Sequence, residues 1–519
     1  MRNASTSAIS CDCEFIGAAR RPSSLRLVEL DGGATYAERV NVYKVASVEE
    51  ALACYRSALE VWTQETAPLQ WAGAQHSMGT AYAARVFGDK EANTEEALAC
   101  FRRALEERTQ EAAPLSWATT QNSMGGAYAE RVNGDKAANL EHAVACYQCV
   151  LNVWTQEAMP KAWVSMQLKL ADLYEQQMGD HMETNQACQE MVSCYRRVLE
   201  VWTRETAAYD WAEMQERMGI AYAQIVDGEK AASTDEALEC YRRALEVWTR
   251  EKEPLAWAHA QNRMGAAYAQ RVYGDKAANI EEAVACYLRV LEVWTRETAP
   301  YGWALMHDGI GWMCLERVDG DTAANMEEAL AHYQLALEVW TREVAPMNWA
   351  KTQLNLAYLH KRRMRDDGVP YIEEALTCIR CALEVLTPKM EPLLWASAQH
   401  SMGIAYVDRV DGGRTANLKQ AVACYLRALK VRTREASPQL WASTTWRMLE
   451  ALQSGEHWAE ALERARALQA FGREWQRWDE VEADLVTRVA ELERELPHPP
   501  APCANNQPLP GVDEGVPDV

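Results

Sequence analysis

The sequence predicts an all-α protein: a right-handed α-solenoid superhelix of about ten helical hairpins, closed by one C-terminal capping helix. Three observations predict it. Tryptophan recurs at Trp71, Trp117, Trp163, Trp211, Trp257, Trp303, Trp349, Trp395 and Trp441, seven intervals being 46 residues and one 48. A fixed period in this range is the mark of stacked supersecondary units. Within each period apolar residues fall twice on helical spacing. Proline, glycine and asparagine punctuate most units at the same places. At about 10 Å per stacked unit the array would extend for about 100 Å, offering a long surface and no enclosed pocket.

Residues 69–110 show how one unit is built. Pro68 stands three residues before Trp71, and Pro114, Pro160, Pro254, Pro300, Pro346, Pro392 and Pro438 repeat it. Proline suits a helix start, where its missing N–H is no loss. The first helix, A, carries Trp71, Gln75, Met78, Tyr82 and Val86 on one stripe, with Gly79 leaving room for a neighbour. It is expected to stop near Gly88. A Gly-Asp-Lys loop follows, as at Gly134-Asp135-Lys136 and Gly274-Asp275-Lys276. Asn93 and Glu96 then read as a capping box that opens the second helix, B. Asn279 with Glu282 and Asn325 with Glu328 repeat that spacing. Ala97, Cys100, Phe101, Ala104 and Leu105 form the expected buried stripe of B.

The ends and breaks follow from the same register. Counting back 46 residues gives Leu25, Gly33 and Tyr36, so a degenerate first unit is expected from residue 23. The solenoid is expected over 23–470, with a shorter last unit whose B helix lies around Trp458 to Leu468. A capping helix is expected over 471–496, carrying Trp475, Trp478, Val481, Leu485 and Val489. Residues 1–22 read as a disordered leader, and 497–519 as a disordered Pro-rich acidic tail. Two units depart from the pattern. The unit of Trp163 has Ala171 in place of glycine and two extra residues around Gly179–Asn185. The unit of Trp349 carries His360, Lys361, Arg362, Arg363 and Arg365, a basic cluster in an acidic chain.

Met78-Gly79-x-x-Tyr82 and Ala97-x-x-x-Phe101 resemble the tetratricopeptide repeat (TPR) pattern of helices A and B. The unit here is 12 residues longer than the family's 34. In this it resembles the long repeats of kinesin light chains and the TPR arrays that precede caspase-like CHAT protease domains in bacteria. The resemblance implies a binding wall made by A helices, at the positions two, five, nine and twelve after each tryptophan. The second of these is His76, Asn122, Leu168, Glu216, Asn262, Asp308, Leu354 and His400 in successive units. Asn122 and Asn262 match asparagines that hold an extended peptide in kinesin light chains. The Lys/Arg set that clamps a C-terminal carboxylate in chaperone-binding TPR domains is not met in any consecutive pair of units.

Composition narrows the function classes. The chain has 519 residues, a net charge of −22 and a pI near 5.0. Such a surface repels phosphate backbones and favours basic faces of proteins. No nucleic-acid or membrane partner is expected, no run of 18 apolar residues occurs, and a cytoplasmic location is the default. Eight of the 15 cysteines (Cys54, Cys100, Cys146, Cys194, Cys240, Cys286, Cys378 and Cys424) share one register and read as small core hydrophobes. The pairs Cys146/Cys149 and Cys378/Cys381 are five units apart, too far for one zinc site. No phosphate loop, zinc-protease motif, nucleophile elbow or dinucleotide fingerprint is present. A non-enzymatic chain without metal or cofactor is expected. A glutamine follows the tryptophan by four at Gln75, Gln121, Gln167, Gln215, Gln261, Gln353 and Gln399, with His307 in the one exception.

The expected function is a scaffold binding a protein or peptide along the groove. The expected contacts are His76, Asn122, Asn262, Lys351, His360, Lys361, Arg362, Arg363 and Arg365. Two alternatives remain open: a regulatory subunit of a separately encoded protease or other effector, and homotypic assembly through the Trp-rich C-terminal helix.

Overall fold

The computed structural model describes residues 36–178, 184–225, 230–271, 273–367, 371–474, 488–492 and 494, and the side chains of 36–47, 230–231, 364–367 and 472–474 lie outside that description. The described elements are helical. The chain divides into two compact units, residues 1–181 and 182–519. The division falls in the segment with the two extra residues, 179–185.

In the first unit α1 (Tyr36–Val61) is followed by α2 (Pro68–Ala83), α3 (Lys90–Glu107), α4 (Pro114–Ala129), α5 (Lys136–Leu151) and α6 (Pro160–Gln177). In the second, α7 (Thr184–Val201) precedes six hairpins. These are α8 (Ala208–Gln224) with α9 (Lys230–Leu245), α10 (Pro254–Gln270) with α11 (Lys276–Leu291), and α12 (Pro300–Glu316) with α13 (Thr322–Leu337). They continue as α14 (Pro346–Asp367) with α15 (Ile372–Leu383), α16 (Pro392–Asp408) with α17 (Arg414–Leu429), and α18 (Pro438–Ser454) with α19 (Trp458–Glu474). In each of these hairpins but the last the A helix packs chiefly on the B helix that follows it, and α18 packs equally on α17 and α19. The A helix also leans on the B helix before it, which makes consecutive packed pairs of the α-solenoid kind.

The tight A–B packing follows from a glycine in six of the A helices, Gly79, Gly125, Gly219, Gly265, Gly311 and Gly403. A Cβ on Gly79 would lie 2.8 Å from the Phe101 ring, and one on Gly265 would lie 2.7 Å from the Tyr287 ring. The aromatic of B therefore lies flat on the bare backbone of A. Around it the core is made of Ala97, Leu98, Cys100 and Ala104 in the first unit and of Ile280, Ala283, Cys286 and Val290 in the second. Six of the register cysteines, Cys100, Cys146, Cys194, Cys240, Cys286 and Cys424, are buried; Cys378 is half-buried and Cys54 exposed. Burial pushes their thiols up, to about 11 for Cys100 and about 12 for Cys240.

Local expectations need correction at three places. Helix A ends at Ala83, not near Gly88, so Val86 leaves the stripe and is exposed. Gly88 instead takes a φ of +89° inside the loop, a conformation open to glycine without strain. Helix B starts at Lys90, capped by Asp89, whose carboxylate accepts the Glu91 N–H at 3.0 Å. Asn93 is therefore not a cap. It is buried within the helix, donating to the Phe87 carbonyl at 3.0 Å and accepting from Arg85 at 3.2 Å. Asp135, Asp275 and Asp321 cap in the same way. Finally, α1 runs unbroken through the place of the first A–B loop. Val42 stands there where later units have glycine, so nothing turns the chain.

At the C-terminal end α19 reaches Glu474, past the expected boundary at 471. Residues 488–492 are helical, and Leu492 is buried in the cluster that holds Leu449, Leu462 and Leu468. The leader, residues 23–35 of the expected first unit, Trp475, Trp478, Val481, Leu485 and the tail lie outside the described residues.

Candidate functional site

In six hairpins an arginine at the end of helix A reaches the B helix before it. Arg85 reaches Glu49 at 2.5 Å, Arg131 Glu95 at 2.6 Å, Arg271 Asp235 at 2.7 Å, Arg317 Glu281 at 2.8 Å and Arg409 Glu373 at 2.5 Å. Every pair spans 36 residues. Arg363 holds the same place: it pairs with Glu327, 36 residues back, and its guanidinium lies 5.5 Å from the Tyr371 ring centroid. It is only 7% exposed. The expectation that Arg363 offers charge to a partner is thereby corrected, because a repeated framework role takes it out of solvent.

Its neighbours scatter in the same way. Arg362 is half-buried and donates to the Leu315 carbonyl. Lys361 is half-buried. His360 packs 6.0 Å from the Tyr371 ring, and burial lowers its pKa. Lys351 is exposed one helical face away, and the Arg365 side chain lies outside the description. A run of basic residues on a helix points in several directions, so the cluster is not one patch.

The other expected contacts are spread through the chain. His76 is half-buried with its ring 5.7 Å from Phe101. Asn122 accepts from Lys169 Nζ at 2.8 Å, joining α4 to α6 within the first unit. Asn262 is half-buried on α10 of the second unit. The glutamine ladder is buried at Gln75, Gln167, Gln215, Gln261 and Gln399. Gln75 Oε1 accepts from Arg103 at 3.0 Å, whereas the Oε1 atoms of the other four have no partner. Where histidine replaces glutamine, His307 Nδ1 lies 2.7 Å from His332 Nδ1 on α13. Burial, then the neighbouring His332, holds the His307 ring neutral down to about 4.

The most exposed large apolar residues in the middle of an A wall were not among the expected contacts. Leu305 and Trp312 on α12 are each 38% exposed, and Tyr358 on α14 is 40% exposed. The Trp312 and Tyr358 rings are 5.7 Å apart at a tilt of 34°. Asp308 lies between Leu305 and Trp312 on the helix face, accepting from Thr352 Oγ1 at 2.7 Å and from Asn355 Nδ2 at 3.4 Å. Burial raises the pKa of its carboxyl, opposed by those hydrogen bonds and by the charge of Lys351. The signal was present in the sequence. Nine residues after the wall tryptophan the other units place Thr80, Gly126, Asp172, Ile220, Ala266, Ile404 or Glu450, and only these two place aromatics.

This arrangement offers an aromatic platform, a carboxylate and an amide to a ligand lying across two A helices. Among the described residues no three His, Cys, Asp or Glu are grouped to hold a metal ion, and no helix is long and apolar enough to cross a membrane.

No family model matches the chain, and no curated protein does. Solved structures similar to it are TPR-repeat proteins. A Pyrococcus horikoshii STAND protein with a TPR sensor has a TM-score of 0.47 at 11% identity, over 89% of this chain and 68% of that one. The C-terminal part of a TPR-containing protein of Cytophaga hutchinsonii has 0.38 at 13%, over 59% and 94%. A monomeric mutant of IFIT1 solved with Gppp-AAAA has 0.37 at 13%, over 86% and 95%. The hairpins described above are TPR-like, with the Met-Gly-x-x-Tyr and Ala-x-x-x-Phe patterns on facing helices.

Proposed function

We propose that the chain is a non-enzymatic interaction scaffold that holds a protein or peptide segment against the A helices of its second unit. The observation that carries this reading is the pair Trp312 and Tyr358, exposed side by side on adjacent A helices. Solvent-exposed aromatics flanked by fixed polar groups are the usual anchors of protein interfaces. Leu305 and Asp308 extend the contact along α12, giving one apolar anchor and one oriented carboxylate. The net charge of −22 favours a partner with a basic rim and disfavours nucleic acid.

The test is affinity capture with the full chain, wild type beside Trp312→Ala/Tyr358→Ala, followed by rebinding of each purified candidate. Both side chains are exposed, so the variant is expected to keep its helicity and unfolding midpoint. The expected result is a partner whose affinity falls at least about tenfold, the loss of one or two anchor residues. Equal affinity for both proteins would reject this wall. Recovery of the protein alone would favour homotypic assembly.

A further inference from the structure

The segment that leaves each B helix carries a tryptophan in most units: Trp62, Trp154, Trp202, Trp248, Trp294 and Trp340. Trp248, Trp294 and Trp340 are buried. Two units replace it with arginine, Arg108 and Arg432. Arg432 is 4% exposed. Its guanidinium donates to Thr444 Oγ1 at 2.9 Å and to Ser397 Oγ at 2.8 Å, while its Nε is buried without a partner. Two neutral hydroxyls do not balance a buried cation, which is costly to keep from water.

The surroundings add positive charge. Ser397 and His400 lie one turn apart on α16, as do Thr444 and Arg447 on α18. The His400 ring is 5.7 Å from Tyr425 on α17, and its Nδ1 is buried without a partner. Burial first, then the charges of Arg432, Arg447 and Lys361, keep that ring neutral down to about 4. Arg447 is half-exposed and pairs with Glu450 on its own helix at 3.0 Å.

The combination occurs twice. Arg108 donates to Thr120 Oγ1 at 3.0 Å, and His76 stands on the preceding A helix in the register of His400. In the units of Trp202, Trp248 and Trp294, the position facing the segment is Met214, Ala260 or Met306, and the histidine place on the preceding A helix holds Leu168, Glu216 or Asn262. Threonine also stands at this place beside Trp340, as Thr352, whereas the histidine returns only with arginine, which marks a shared task.

We propose that His400, Arg432 and Arg447 form an oxyanion site between α16 and α18 that takes a carboxylate or phosphoryl group. The half-exposed Arg447 makes the first contact, His400 supplies an N–H, and the field of buried Arg432 holds the negative group beside them. The guanidinium comes from the connecting segment, so the site is separate from the Trp312–Tyr358 platform on α12 and α14.

The experiment is a titration of the full chain at pH 7 and constant ionic strength with sodium acetate, inorganic phosphate or chloride, read by calorimetry and unfolding midpoint. The expected result is saturable binding of acetate, phosphate or both, with a midpoint rise of a few degrees over chloride. Phosphate alone would assign a phosphoryl group, and acetate as well a carboxylate. Arg447→Gln, at a half-exposed position, is expected to weaken binding at least about fivefold without changing the fold. Arg432→Trp/Thr444→Met, which copies the Trp294/Met306 pair, is expected to abolish it. Trp312→Ala/Tyr358→Ala is expected to bind the ions as wild type does, so failure at one site is distinguishable from failure at the other. No saturable response above chloride, or equal binding by the Arg447→Gln protein, would overturn the proposal.

Discussion

The hairpin α10–α11 and its neighbours α12–α14 are built on one frame and present different surfaces. Both end helix A with an arginine that reaches an acid 36 residues back, Arg271 to Asp235 and Arg317 to Glu281. Both bury a tryptophan after helix B, Trp294 and Trp340. They part company on the wall, where Gln261 and Ala266 of α10 face His307 and Trp312 of α12. Register, and not local composition, decides which residues are frame. Arg363 looks like one member of a basic patch until it is aligned with Arg271.

The shared frame can be broken first. Trp294→Ala and Trp340→Ala remove buried indoles of similar surroundings, and each is expected to cost about 3–5 kcal/mol. Denaturant unfolding of the full chain checks this, and losses below about 1 kcal/mol would mean that the segment is not part of the core. A middle-sized effect separates arginine from its lysine neighbour. Arg363→Ala removes a buried guanidinium from its carboxylate and its ring, for about 1–3 kcal/mol, most of Glu327 being exposed. Lys361→Ala, on the same helix and half-buried, is expected to cost less than about 0.5 kcal/mol. Equal effects would return Arg363 to the surface patch.

The smallest expected effect sharpens the difference between the two walls. His307 stays neutral down to about 4 in the folded chain, whereas an unfolded histidine protonates near 6.5. Between those values the unfolded chain binds the extra proton. The histidine's contribution to stability is therefore full above about 6.5 and fades as pH falls toward 4. His307→Gln, which restores the ladder residue of α10, is expected to flatten that part of the stability curve. Unchanged curvature would show that the His307–His332 contact does not resist protonation.

What could be read from the residues alone was whatever repeats. The 46-residue period located nearly every described hairpin, and one cysteine register identified the core face, because translational symmetry repeats the same packing problem. Cap geometry escaped, since Asp89 and Asn93 are both good cap residues and only the chain path chooses between them. The unbroken α1 escaped because the tryptophan count ignores the loop, where Val42 replaces a glycine. For the proposed site the reading singled out α14 by its charges and passed over its exposed aromatic. Charge is conspicuous in composition, whereas the exposure of Trp312 and Tyr358 depends on which neighbour covers them.

The cysteine register makes the protein its own unfolding reporter. The buried thiols of Cys100, Cys146, Cys194, Cys240, Cys286 and Cys424 sit one to a hairpin. Pushed up to about 11 or 12, they are almost wholly protonated at neutral pH and so sluggish toward alkylating agents. A hairpin that opens frees one thiol of its own, and mass spectrometry of peptides modified by a brief pulse would date the event. Exposed Cys54 sets the clock for an unprotected group. With no substitution at all, the native chain can reveal where along its length the stack begins to come apart.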